Sequence, residues 1–215
     1  MRPWSRPAAG ALVVTAFLLL LFSFVSSEAS AARPVFQISQ GVRADLRDKG
    51  DVASEFLERL ELQRLLRPDG WVIPFGEFRH DLKEGIWSRM EAGVELRAKP
   101  FARFCKPFSW ITVGSGFQQA WLNPGPDRME WEGRFLIDLP LPWSIRSRPI
   151  GLYALSEYTV DLEEGAGVRN EVEAGIKIPI PISRWNPLLS LGWRHVDPIH
   201  EPDVDQFESS LSLSF

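Results

Sequence analysis

From Val35 onward the chain alternates apolar and polar residues with a period of two, and it does so through to its last residue. In Val35–Leu46 the even positions are Phe36, Ile38, Gln40, Val42, Ala44 and Leu46, set against Gln37, Ser39, Gly41, Arg43 and Asp45. Ile86–Lys99, Met129–Leu139, Val168–Ile180 and Gln206–Phe215 repeat the pattern. Successive side chains of a strand point to opposite faces, so each stretch predicts a strand with one apolar and one polar face. Trp71–His80, Phe108–Trp121, Ile150–Val160 and Leu188–Val196 are less regular candidates of the same kind.

Ser54–Leu66 reads two ways. Phe56, Leu57, Leu60, Leu65 and Leu66 would suit one face of a helix, whereas Leu60 and Leu62 against Arg59, Glu61 and Gln63 suit a strand. It lies between two strands and ends at the turn Arg67-Pro68-Asp69-Gly70, so strand is the reading taken. That gives about ten strands in an all-β chain. The connections are marked by Pro, Gly, Asn and Asp at Asp48–Asp51, Lys83–Gly85, Asn123–Asp127, Glu163–Gly167 and Pro198–Asp205. No linker divides them, so residues 32–215 form one domain.

The first 31 residues stand outside this pattern. Arg2 and Arg6 precede an apolar core from about Ala8 to Val25, and small residues lead to Ala29-Ser30-Ala31. This is the layout of a cleaved signal peptide. The competing reading, a retained membrane anchor, lacks a cationic flank after the core. Without residues 1–31 the chain carries 22 basic and 27 acidic side chains. That acidic balance argues against a nucleic-acid partner, whose phosphates select basic surfaces. Cys105 is the single cysteine, so an exported fold has to stand without an internal disulfide. It lies in a turn and is read as incidental, with an intermolecular bridge as the other option.

Alternation alone does not say which face meets solvent; a soluble periplasmic binding barrel alternates too, with the apolar face inward. Three features favour the inverted arrangement, a single antiparallel up-and-down transmembrane β-barrel with a charged lumen. Charges of both signs fall at mid-strand: Arg89, Glu91, Glu95 and Arg97; Glu130, Glu132 and Arg134; Arg169, Glu171 and Glu173. Seven tryptophans (Trp71, Trp87, Trp110, Trp121, Trp131, Trp143 and Trp185) fall near strand ends, as in the aromatic girdles of membrane barrels. Finally, the chain closes on Ser-Leu-Ser-Leu-Ser-Phe.

That ending, with Phe215 last, resembles the C-terminal strand that outer-membrane barrels present to their assembly machinery. Residues 130–215 also resemble a bacterial family of outer-membrane barrels known only as a domain of unknown function. The likeness lies in Trp131-Glu-Gly-Arg-Phe, Leu152-Tyr-Ala-Leu-Ser-Glu157 and Asn170-Glu-Val-Glu-Ala-Gly175. The resemblance implies an outer-membrane location, lipid and the barrel-assembly machinery as partners, and no catalytic residues. With about ten strands the lumen should be largely filled by side chains, which disfavours a general porin.

Candidate chemistry is thin. If odd-numbered strands run outward, one end of the barrel gathers His80-Asp81 and His195-Val-Asp197-Pro-Ile-His200-Glu201-Pro-Asp203-Val-Asp205. A His–Asp pair there could activate water, which makes an outer-face hydrolase using His80, Asp81, His195 or Asp197 the alternative function. The plain reading is an acidic solvated loop. Asp197, Glu201, Asp203 and Asp205 could instead hold a divalent cation, but they lack the glycine and spacing of a calcium loop. No Gly-x-Ser-x-Gly, His-Glu-x-x-His or paired cysteines occur, and Gly114-Ser-Gly116 reads as close packing. No cofactor or metal is implied, and no small-molecule ligand can be named.

Overall fold

A computed structural model describes residues 34–46, 54–67, 69–105, 108–181, 185–199 and 202–215. The proposed signal segment 1–31, His200 and Glu201 lie outside the described residues. Ten strands follow one another: β1 (Val35–Asp45), β2 (Glu55–Arg67), β3 (Gly70–Asp81), β4 (Ile86–Ala98), β5 (Ile111–Leu122), β6 (Arg128–Ile145), β7 (Arg148–Asp161), β8 (Ala166–Pro179), β9 (Leu188–Pro198) and β10 (Val204–Ser214). Each pairs antiparallel with its sequence neighbours, and β10 pairs with β1 to close the barrel. The ambiguous stretch is therefore strand, as the turn after it suggested. Closure leaves the sheet no free edge to protect.

Two of the short connections on the side away from the chain ends are built alike. In β3–β4 the Asp81 carboxylate accepts from the N–H of Lys83 (2.8 Å) and of Glu84 (3.0 Å), and Gly85 closes the turn at φ 68°. In β7–β8 Asp161 does the same for Glu163 and Glu164, and Gly165 sits at φ 64°. Both turns read Asp-Leu-x-Glu-Gly, a local repeat that the strand pattern hides. The glycines are needed because other residues rarely adopt positive φ. Both hairpins also carry a register shift just before the turn, at Arg79/His80 and Thr159/Val160.

The sequence pattern fell short at β6. Alternation stops at Leu139, yet the strand continues to Ile145 and turns at Arg146-Ser147 into β7. Pro140 and Pro142 break the periodicity, and the ladder is irregular between Pro140 and Ser144, so the pattern was lost while the pairing resumed.

The polarity of the wall is inverted relative to a soluble barrel. The buried polar and charged residues include Arg43, Glu61, Glu77, Glu91, Glu95, Glu130, Glu171 and Arg194. The exposed residues include Val94, Leu96, Val113, Phe117, Phe135, Leu152, Trp193, Phe207 and Leu211. Along β5, Thr112, Gly116, Gln118 and Ala120 are covered while Val113, Ser115 and Phe117 are not, which is the strand period in burial.

Candidate functional site: the charged interior

Strand parity decides what enters the lumen. On β4 the inward positions are Arg89, Glu91, Gly93, Glu95 and Arg97, and on β8 they are Arg169, Glu171, Glu173, Gly175 and Lys177. Neighbouring strands add Arg43, Glu55, Arg59, Glu61, Glu77, Arg79, Glu157, Arg194 and Glu208. An ionised side chain taken out of water needs a partner of opposite sign and hydrogen bonds to match. The lumen supplies them across strands.

Arg134 on β6 reaches Glu132 (2.9 Å) on its own strand, Glu95 (3.2 Å) on β4 and Glu157 on β7. Glu95, 2% exposed, is also held by Arg97 at 2.7 Å. Arg59 bridges Glu61 (2.8 Å) and Glu77 (3.0 Å) while its guanidinium lies 4.2 Å from the centre of the Phe75 ring. On the far wall Arg43 donates to Glu208 (2.7 Å) and Glu55 (2.8 Å), and Arg194 joins Glu208 (3.2 Å) to Glu171. Arg89 pairs with Glu91 and Glu130, and Gln118 donates to the same Glu130 carboxylate at 2.9 Å. Charges from every quarter of the wall thus meet at the axis. They leave a cavity of about 200 Å³, lined by residues such as Arg43, Arg59, Glu77, Arg79, Arg134 and Glu173.

The sequence singled out ten of these charges. It did not single out Arg43, Glu55, Arg59, Glu61, Glu77, Arg79, Glu157, Arg194 and Glu208, which stand singly or in strands of irregular pattern. The signal that finds them is parity alone: each sits an even number of residues from the other inward positions of its strand, on a face that also carries apolar residues such as Leu57, Ile73, Phe75 and Leu155.

Below the charges, toward the chain ends, the filling becomes apolar. Ile73 (1% exposed) and Phe75 (2%) lie on the inward face of β3, and Trp71 shares that parity, so it faces the interior instead of an outer girdle. Tyr153 of β7 lies across Gly175 and Gly192, its hydroxyl donating to Glu173 and Lys177 Nζ 5.0 Å from its ring centre. A Cβ at Gly175 would come within 2.8 Å of the tyrosine ring and 2.7 Å of Gly192 Cα, which is why this spot takes glycine.

The histidines are not drawn together. His80 lies on the outer face of β3, stacked on Phe78 with ring centres 6.3 Å apart, while Asp81, the next residue, points to the other face and caps its turn. His195 sits outside on β9, stacked on Trp193, and its Nδ1 is 3.0 Å from Asp205 of β10, not from Asp197. β3 and β9 are separated by β2, β1 and β10. Among the described residues no group of three His, Cys, Asp or Glu side chains is arranged to hold a metal ion. Cys105 is a half-buried free thiol in the turn after β4.

At the closing seam Phe215 packs between Phe36 (6.1 Å between ring centres) and Trp185 (5.8 Å), and its N–H donates to the Phe36 carbonyl.

No family model matches the sequence, and no curated protein is similar to it. Among solved structures, the chain is similar to one from a study of the in-meso crystallisation of membrane proteins. The two are 10% identical, with 84% of each chain covered and a TM-score of 0.47. It is also similar to the KdgM porin, solved in complex with disordered oligogalacturonate (6% identity, 85% of this chain and 99% of that one, TM-score 0.42). The transport unit of the autotransporter AIDA-I from Escherichia coli is 9% identical over 99% of both chains, with a TM-score of 0.32. None is close enough to lend its activity to this chain.

Proposed function

We propose that the chain is an integral outer-membrane β-barrel of structural or interaction type, exported through residues 1–31, whose lumen is kept closed by its own ion pairs. The observation that carries the reading is the inverted polarity. Paired charges fill the inside, while residues such as Phe117 (59% exposed), Leu96 (55%) and Phe207 (45%) face outward. Water is a poor solvent for that outer wall and lipid a good one, and a closed barrel satisfies its backbone groups internally, as a bilayer requires. A soluble periplasmic binding barrel needs the reverse, an apolar pocket inside and a polar wall outside.

The closed lumen follows from the same residues. A pore of this width would have to pass solutes through the Arg59, Arg134 and Glu95 contacts, each held by two or three partners. The packing of Phe215 against Phe36 and Trp185 supports its reading as the end of a strand delivered to the barrel-assembly machinery. For the hydrolase alternative, the pairs read from the sequence are not formed among the described residues: His80 and Asp81 point to opposite faces, and His195 is held by Asp205 and not by Asp197.

The test is gel mobility of the membrane-fraction protein with and without boiling, followed by recording in planar bilayers. The expected result is a faster-migrating unboiled band and no sustained conductance. A soluble protein with no heat-dependent shift overturns the membrane reading. A heat-shifting protein with large, long-lived conductance steps overturns the closed lumen alone.

A further inference from the structure

One hydrogen-bonded polar pair faces the wrong way for a lipid-exposed wall. Gln40 and Glu58 lie directly opposite each other on β1 and β2, and both belong to the outward parity. The Gln40 amide donates to Glu58 Oε1 at 3.0 Å on the outer surface. Gln40 is the midpoint of β1, five residues from either end. At ~3.3 Å per residue and a tilt near 45°, that places it roughly 12 Å from each rim. Glu58 is three residues inside β2, and its carboxylate is held by Gln40 across the strand pair.

Ionisable groups at this depth on the lipid face are costly and mark contacts with something other than lipid. The pair is also half satisfied. A glutamine amide has two N–H donors and a carboxylate two oxygens, and the internal bond uses one of each. On its other side Glu58 is opposite Phe78, which offers no donor. The neighbours are exposed and apolar: Val42 (39%), Leu60 (38%) and Leu211 (40%). A polar centre ringed by apolar side chains is how small, specific interfaces are built.

We infer that this face is the contact between two copies of the chain, related by a two-fold axis, in which the free Gln40 N–H of each copy donates to Glu58 of the other. The inference rests on the membrane reading above. The argument for a second copy is complementarity: the patch presents one spare donor and one spare acceptor side by side on antiparallel strands. Only an isologous contact supplies both to both partners from the same surface.

The experiment uses the full mature barrel in detergent and in phospholipid nanodiscs, with mass read by sedimentation or native mass spectrometry and barrel integrity by the heat-dependent gel shift. The expected result is a dimer for the native protein. Glu58→Leu and Gln40→Leu, which suit a lipid-facing strand, should keep the gel shift but raise the dimer dissociation constant at least tenfold. In a Cys105→Ser background, Val42→Cys, which keeps Gln40 and Glu58 in place, should cross-link copies through a short thiol-specific reagent. A monomeric native barrel with its gel shift intact overturns the inference and leaves the membrane reading standing, as does a dimer unaffected by either leucine variant. Loss of the gel shift in the native protein instead overturns the membrane reading, and this inference with it.

Discussion

Arg134 is where the closed lumen can be tested most directly. Its guanidinium contacts three carboxylates from three strands: Glu95, Glu132 and Glu157, whose side chains are 2%, 9% and 10% exposed. Arg134→Met keeps the length of the side chain and removes the charge. Glu95 retains Arg97 and, at 3.6 Å, Arg59, whereas Glu132 and Glu157 are left with no cation in contact among the described residues. Removing one member of a buried ion pair costs about 3–5 kcal/mol, because a charge remains without compensation. With a urea dependence of about 2 kcal/mol per molar, the unfolding midpoint should fall by about 2 M. The folded fraction is read from the heat-shifting band across a urea series. Adding Glu132→Gln and Glu157→Gln to Arg134→Met removes the stranded charges and should recover most of the loss, since an absent ion pair is far less harmful than a broken one. A single variant whose midpoint lies within about 0.3 M of the native value would refute the reasoning. It would mean that lumen water screens these carboxylates and that the ion pairs do not hold the interior.

Gly175→Val forces a side chain into the space of the Tyr153 ring and the β9 backbone and should destabilise the barrel by about 1–3 kcal/mol or more in the same urea series. Tyr153→Phe keeps the ring over the glycines but loses the hydrogen bond to Glu173, worth about 1.5–3 kcal/mol for a charged acceptor. Phe215→Ala should lower the amount of folded barrel in the membrane fraction of cells far more than it lowers the urea midpoint of purified protein, because Phe215 is 52% exposed and its ring partners among the described residues are Phe36 and Trp185. His80→Ala and His195→Ala should leave both the gel shift and any peptide or lipid hydrolysis by the purified protein unchanged. A loss of hydrolysis specific to either variant would reinstate the enzyme reading.

Strand number and the antiparallel order were legible in the sequence because a period of two survives in almost every strand, with turn residues between. Where prolines interrupted it, as at Pro140 and Pro142, the pattern ended before the strand did. The repeated Asp-Leu-x-Glu-Gly turns were present in plain sight, but they belong to loops, where alternation is silent.

The site divides along the same line. Arg89, Glu91, Glu95, Arg97, Glu130, Glu132, Arg134, Arg169, Glu171 and Glu173 could be picked out because they cluster at mid-strand within a few residues of one another. Their partners could not be assigned: Arg134 lies 39 residues from Glu95, and Arg43 lies 165 from Glu208. Those pairings exist because closing the sheet turns ten polar faces inward around one axis, and separation along the chain says nothing about separation across a lumen. His80 and Asp81 show the converse. Adjacent in sequence, they read as a pair, yet the strand's pleat sends them to opposite faces. The sequence by itself determined which residues share a face of each strand. Only the closed barrel decided which face is inside, and therefore which charges meet.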